Sequence, residues 1–160
     1  MDNFEFTDNS VAIKGLINNA LNAFLTGTAK EIVSQTKRNS RVGTSQTKNS
    51  YDYVISREEL TATIGSQLEN AIWEEFGTGE YALDGDGRKT AWYIPCEKYK
   101  GKKKPTYQGK VTIVYGKDGK TFYKTDGKKP NRPLYNAVEK VKPNLQKALE
   151  TKLKGVGGSG

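Results

Sequence analysis

Apolar positions recur at helical spacing through residues 10–38: Val11, Ile13, Leu16, Ile17, Ala20, Leu21, Phe24, Ala29, Ile32 and Val33. The pattern predicts one long amphipathic helix. Asp8, Asn9 or Ser10 can cap its start, and Gly27 weakens its middle. The basic "KRNSR" stands at its end, where the helix dipole favours positive charge. "RVGTSQTKNS" is polar and aperiodic and predicts a loop. "YDYVIS" and "TATIGS" alternate on either side of "REEL", which predicts a hairpin. Residues 67–76 fit a short helix or an approach strand. "GTGEYALDGDGRKT" is rich in turn formers, and "AWYIP" is a strand candidate that ends at a proline.

The strongest local signal is "VTIVYGKDGKTFYKT". Two β-prone runs flank Asp118-Gly119, a pair suited to a tight hairpin turn. Leu134, Ala137, Val138, Val141, Leu145, Ala148 and Leu149 then mark a second helix over residues 133–153. Pro133 suits its first turn, and Pro143 predicts a kink or a division. No internal repeat is visible. The order helix, strands, strands, helix predicts an α+β fold. It comprises a long N-terminal helix, a small antiparallel sheet with an extended lysine-rich β-hairpin, and a C-terminal helix, with the helices packed on the sheet. Residues 1–154 read as a single domain, with 98–129 a basic arm within it. The final "GVGGSG", residues 155–160, reads as a flexible tail.

Composition adds two constraints. The chain has 160 residues, of which only 34% are apolar and 28% are charged. That is one domain's worth of chain with a modest core, and it suits an elongated subunit or one that completes its packing in an assembly. No run of eighteen apolar residues predicts a membrane span. The acidic "MDNFEFTDNS" has no apolar core of the export-signal type. Cys96 is the single cysteine, which fits folding in a reducing cytoplasm. The formal net charge is +8, and residues 98–129 hold eleven lysines, no arginine and two aspartates, a net of +9. The other 128 residues therefore sum to −1, so the basicity belongs to one segment.

Candidate chemistry is sparse. The chain has no histidine, which removes serine–histidine and cysteine–histidine nucleophile pairs and histidine metal sites. Cys96 lies near Lys98 and Lys100, which lower a thiol pKa, but it has no base partner. Glu74 and Glu75 are adjacent, and neighbours diverge on a helix or a strand, so convergence for acid–base work is not expected. Gly77-Thr78-Gly79 lacks the third glycine of a dinucleotide fingerprint and the lysine of a P-loop. A sharp turn is the simpler reading, with Phe76 and Trp73 anchoring it in the core. "DGDG" at residues 84–87 resembles a calcium loop, but its twelfth position is Pro95 where a glutamate is needed. The lysine-rich arm carries Tyr99, Tyr107, Tyr115, Phe122 and Tyr123 among its lysines. Three readings stay open for it: tracking and stacking on nucleic acid, docking on an acidic protein, or a solvated hairpin with its aromatics packed inward.

"EEFGTGEYA" (residues 74–82), "GRKTAWYIP" and "TDGKKPNRPLYNAVEK" follow one another in an order that resembles the bacteriophage neck, or tail-completion, family. This is the gene-product-ten-like group of head–tail joining proteins. "RVGTSQTKNSYDYVIS" sits where that family carries a threonine-glycine-x-leucine segment, with Ser45 in place of the glycine and Thr47 in place of the leucine. The resemblance spans residues 11–153. It implies structural work without catalysis or cofactor. A homo-oligomeric ring of six or twelve copies would sit between the portal or head-completion adaptor and the tail terminator or tail tube. DNA would pass through its channel, with non-specific contact at most. The place implied is the virion neck, with the host cytoplasm during assembly. Trp73, Glu75, Phe76, Gly77, Thr78 and Gly79 would form a structural corner, with Glu75 a buried or intersubunit acid. Arg88, Trp92, Lys102, Lys103, Lys104, Lys117 and Lys120 would meet a neighbouring subunit or the DNA. The alternative is a small nucleic-acid-binding module that uses the same basic hairpin.

Overall fold

The computed structural model describes residues 8–41, 45–99 and 111–157. Helix α1, Ser10–Asn39, is unbroken over 30 residues and therefore about 45 Å long. The Asp8 carboxylate accepts the Ser10 N–H at 2.9 Å, and this bond holds its carboxyl below the usual range. At the other end Ser40 turns extended while its N–H and its hydroxyl both bond the Thr36 carbonyl. Only the second half of α1 is buried, at Ala29, Ile32, Val33, Gln35 and Thr36. Residues 10–19 are exposed throughout, so the first part of the apolar stripe does not join the core.

A single turn, α2 (Gln46–Asn49), occupies part of the expected loop. β1 (Tyr51–Ser56) and β2 (Thr61–Ser66) then form the expected hairpin, in register from Tyr51↔Ser66 to Ser56↔Thr61. Residues 67–76 resolve as a helix, α3 (Glu69–Phe76). β3 (Thr78–Gly79) and β4 (Trp92–Pro95) follow. The predicted tight hairpin is β5 (Val111–Tyr115) with β6 (Thr121–Thr125), where Gly119 supplies the left-handed backbone of the turn. β7 is Gly127–Lys128, and α4 is Pro133–Val141. Pro143 divides the second helix outright. It sits in a 3-10 turn, and α5 (Leu145–Gly157) begins beyond it, because proline has no N–H to continue the ladder. α5 reaches Gly157, so helix extends into the stretch expected to be flexible from 155.

Among the described residues the strands make three small antiparallel sheets, not one: β1-β2, β3-β7 and β4-β6-β5. The second half of α1 is the spine on which the helices and the first hairpin meet. Ile32 packs with Ala137 and Val141, and Val33 packs with Tyr51 and Ala71. Ile64 of β2 touches both clusters. The expected helix layer covers the β1-β2 hairpin only. Among the described residues none of the α-helices packs extensively along the β4-β6-β5 sheet, which stands as a satellite. Its three short strands alternate apolar residues onto both faces, and the long helix is already used by the first hairpin.

Candidate functional site

Helix α3 puts successive side chains about 100° apart, so its two adjacent acids go to different partners. Glu74 turns inward and is buried. Its carboxylate forms an ion pair with Lys128 of β7. Its main-chain carbonyl accepts the N–H groups of Asn131 at 2.8 Å and Arg132 at 3.2 Å. The Glu75 carboxylate accepts the N–H groups of Leu134 and Tyr135, each at 2.9 Å. Those are first-turn donors of α4, which have no partner inside the helix. Arg132 at the head of α4 lies in the left-handed region with φ 53° and makes no side-chain cap. Glu75 is thus the cap of a helix some sixty residues away. Glu75, expected as a buried or intersubunit acid, is half-buried in the single chain, and it is Glu74 that goes under.

Gly77-Thr78-Gly79 is where three segments cross. The Gly77 N–H closes α3 on the Trp73 carbonyl at 3.1 Å. With φ +75°, a side chain there would meet the Lys128 and Tyr81 carbonyls at 2.8 Å. Thr78 pairs with Lys128 and its hydroxyl accepts the Lys128 N–H at 3.1 Å. A side chain on Gly79 would run into the Asp126 carbonyl and the Trp92 ring. The corner is thus backbone against backbone, which only glycine permits. Trp73 and Phe76 do not anchor it in the core as expected. They are 43% and 46% exposed, because α3 buries the face of Ala71 and Glu74 instead.

The predicted interface residues scatter. Arg88 is exposed and donates from Nε to the Thr90 hydroxyl at 2.8 Å. Trp92 is half-buried with its ring on Gly79, which makes it a joint between the satellite sheet and the corner. Lys117 and Lys120 are exposed at the β5-β6 turn. Lys120 lies 3.0 Å from Asp118 and keeps that carboxyl below its ordinary pKa. Lys102, Lys103 and Lys104 lie outside the described residues. Of the arm's aromatics, Tyr99 and Tyr123 meet edge to face at 5.5 Å, while Tyr115 is well exposed. Cys96 is half-buried and free. Among the described residues no acidic or thiol cluster is gathered to hold a metal, and no helix is long and apolar enough to cross a membrane.

Sequence reasoning did not anticipate the groove beside the corner. It has a volume of about 340 Å³, and Tyr51, Ala71, Ile72, Phe76, Leu134 and Tyr135 make its mostly apolar wall, with Glu75 at its edge. The Tyr51 ring is 3% exposed, and its hydroxyl has no partner among the described residues. Burial, reinforced by the charges of Glu75 and Glu74, pushes its pKa up to about 12. At the rim, the Arg132 guanidinium lies 3.6 Å over the Tyr135 ring. One signal for this site was in the sequence. A helix opening on "NRPLY" has no local side chain placed to cap it, so its cap must come from elsewhere. Comparison with protein-family models, with curated proteins and with solved structures finds no match.

Proposed function

We propose that this chain is a non-enzymatic structural subunit of a tailed-bacteriophage neck, a tail-completion component that assembles as a ring around the DNA channel. The observation that carries the reading is what the "EEFGTGEYA" segment does. Glu74, Glu75 and the two glycines are consumed in tying α3 to β7 and α4, while apolar surface stays open at the start of α1 and in the groove between α3 and α4. That is the profile of a part made for assembly: a stiff joint inside, unsatisfied apolar faces outside. The segment order that resembles the neck family supplies the identity of the assembly. Its neighbours would be the portal or head-completion adaptor on one side and the tail terminator or tube on the other.

A stop codon early in this reading frame, in its phage, tests the proposal by electron microscopy of the lysate. Full heads and separate tails that fail to join, rescued by a plasmid copy, are expected. Normal infectious particles refute it. One observation favours a second reading: Tyr115 and Lys117, two residues apart at the β5-β6 turn, are both exposed, a ring and a cation of the kinds that suit nucleic acid. Tight DNA binding by the monomer, with a steep salt dependence, would favour that module. Binding that needs a preassembled ring would favour the neck.

A further inference from the structure

The arm carries lysines and no arginine, and three of the chain's five arginines gather at a different place. Arg38 and Arg41 stand at the end of α1, and Arg132 stands at the head of α4. Two asparagines splice these ends together. The Asn131 side-chain amide donates to the Asn39 carbonyl at 2.8 Å, and the Asn39 amide donates to the Pro133 carbonyl at 3.2 Å. Arg41 then donates to the Lys129 carbonyl at 3.1 Å, which brings in the last lysine of the arm. Among the described residues, none of Arg38, Arg41, Lys129 and Arg132 has a carboxylate within ion-pair distance. The two acids of the neighbouring corner are occupied, Glu74 by Lys128 and Glu75 by the α4 N–H groups. The junction is a cationic surface whose counter-charge must come from outside.

Arg132 serves through its side chain, because its backbone position favours other residues. Its φ of 53° lies in the left-handed region, which glycine and asparagine adopt more easily. It makes no cap for α4, since Glu75 supplies that. Its guanidinium lies 3.6 Å over the Tyr135 ring, and a guanidinium held on a ring keeps its planar fork ready for a carboxylate or a phosphate. Tyr135 is also a wall of the α3-α4 groove, together with Ile72 and Phe76. All three of those side chains are exposed. Cationic rim and apolar groove therefore form one continuous surface, joined at Tyr135.

We infer that this junction binds an acidic segment of a partner protein, with carboxylates on Arg132, Arg41 and Lys129 and a large apolar side chain of the same segment in the groove. The unpaired cations select an anion, and the groove beside them selects which anion. A nucleic-acid backbone would satisfy the cations and leave the apolar wall uncovered. Lys129 also stands 5.6 Å over the Tyr81 ring, as Arg132 does over Tyr135. The ring faces beside the cations are thus taken, and bases have little to stack on there. An arginine and aromatic rings around an apolar pocket are the composition of an interface hot spot. The surface is defined by the junction alone and does not depend on the neck assignment.

Selection from a displayed random-peptide library on the immobilised full chain tests this. Enriched peptides are expected to pair acids with a nearby phenylalanine, leucine or tryptophan. The most enriched peptide, fluorescently labelled, is then titrated by anisotropy, with circular dichroism to verify folding of each variant. Arg132→Gln and Arg41→Gln should each weaken binding by about tenfold, the loss of one charge-assisted hydrogen bond. Ile72→Ser in the groove should weaken it by a similar factor. Arg132→Lys should recover only part of the affinity, because it keeps the charge and loses the planar fork. Lys14→Gln, near the far end of α1, should stay within about twofold of wild type. If Arg132→Gln misfolds, Arg41→Gln carries the test. A library without enrichment, enriched peptides that lack acids, or binding indifferent to both arginine changes overturns the proposal. So does a labelled DNA duplex that displaces the peptide, binds more tightly and is lost with Arg132→Gln, which makes the junction a nucleic-acid surface.

Discussion

Replacing Glu75 with alanine should loosen α4 without touching a residue of α4. The wild-type carboxylate accepts the Leu134 and Tyr135 N–H groups at 2.9 Å, so truncation returns two first-turn donors to solvent. A lost N-cap costs about 1 kcal/mol within a range of roughly 0.5–2. A lost negative charge at the positive end of the helix dipole costs about 0.3–1 kcal/mol more. Glu75 is half-buried, so water restores part of the loss, and the net expectation is about 1.5–2 kcal/mol. Glu75→Gln keeps one acceptor oxygen and loses the charge, for about 1 kcal/mol. With a urea slope near 2 kcal/mol/M, the alanine variant's midpoint should fall by somewhat under about 1 M. Hydrogen exchange localises the effect. Amides of Leu134 and Tyr135 should lose protection beyond the global change, while that of Ala137, inside the helix, should follow the global change alone. A stability within about 0.3 kcal/mol of wild type, with the Leu134 and Tyr135 amides still protected, refutes the cap. Glu58→Ala, at the exposed tip of the first hairpin, is the control for removing a surface acid.

Four further outcomes follow from the same geometry. Gly79→Ala places a methyl group on the Asp126 carbonyl and the Trp92 ring at a positive φ, and thermal melting should show a loss of about 3 kcal/mol or more. Gly65→Ala, with open space around it in β2, should be neutral or gain up to about 1 kcal/mol. Tyr51 has its pKa raised to about 12 in the fold from about 10 unfolded. The stability linked to its proton is therefore whole below pH 10 and is lost as pH rises from 10 to 12, by about 2–3 kcal/mol. Tyr51→Phe should remove that component of the alkaline slope, and at pH 7 it should cost little or stabilise, since it deletes a buried hydroxyl without a partner. Glu74→Gln keeps the shape but leaves the ion pair with Lys128 without its negative member. Urea unfolding should show about 2 kcal/mol of loss, less sensitive to salt than a surface pair.

Much of the fold was legible in order. The long helix, both hairpins, the strand ending at Pro95 and the break at Pro143 were all readable, because each follows from local sterics or from a period that neighbouring residues share. The short helix over 69–76 was ambiguous because eight residues scarcely distinguish a helical from an extended period. At the corner, the glycines were readable as a sharp turn, but the anchors were not. Trp73 and Phe76 looked like core by hydrophobicity alone. Orientation was decided by the ion pair of Glu74 with Lys128 and by the need of α4 for a cap.

By itself the sequence determined the long helix, the two hairpins and the divided C-terminal helix, where proline and glycine interrupt them, and that the net basic charge is confined to one arm. The tertiary structure decided how three small sheets divide the strands, which of two adjacent acids is buried, and that Glu75 caps a helix sixty residues on. It also decided that one half of α1 meets the core while the other half faces outward. The reason is physical. A periodic stripe records that a face must be covered, which is a local fact about spacing. What covers it depends on groups brought together from across the chain, and that choice is made by packing and hydrogen-bond supply, neither of which has a period.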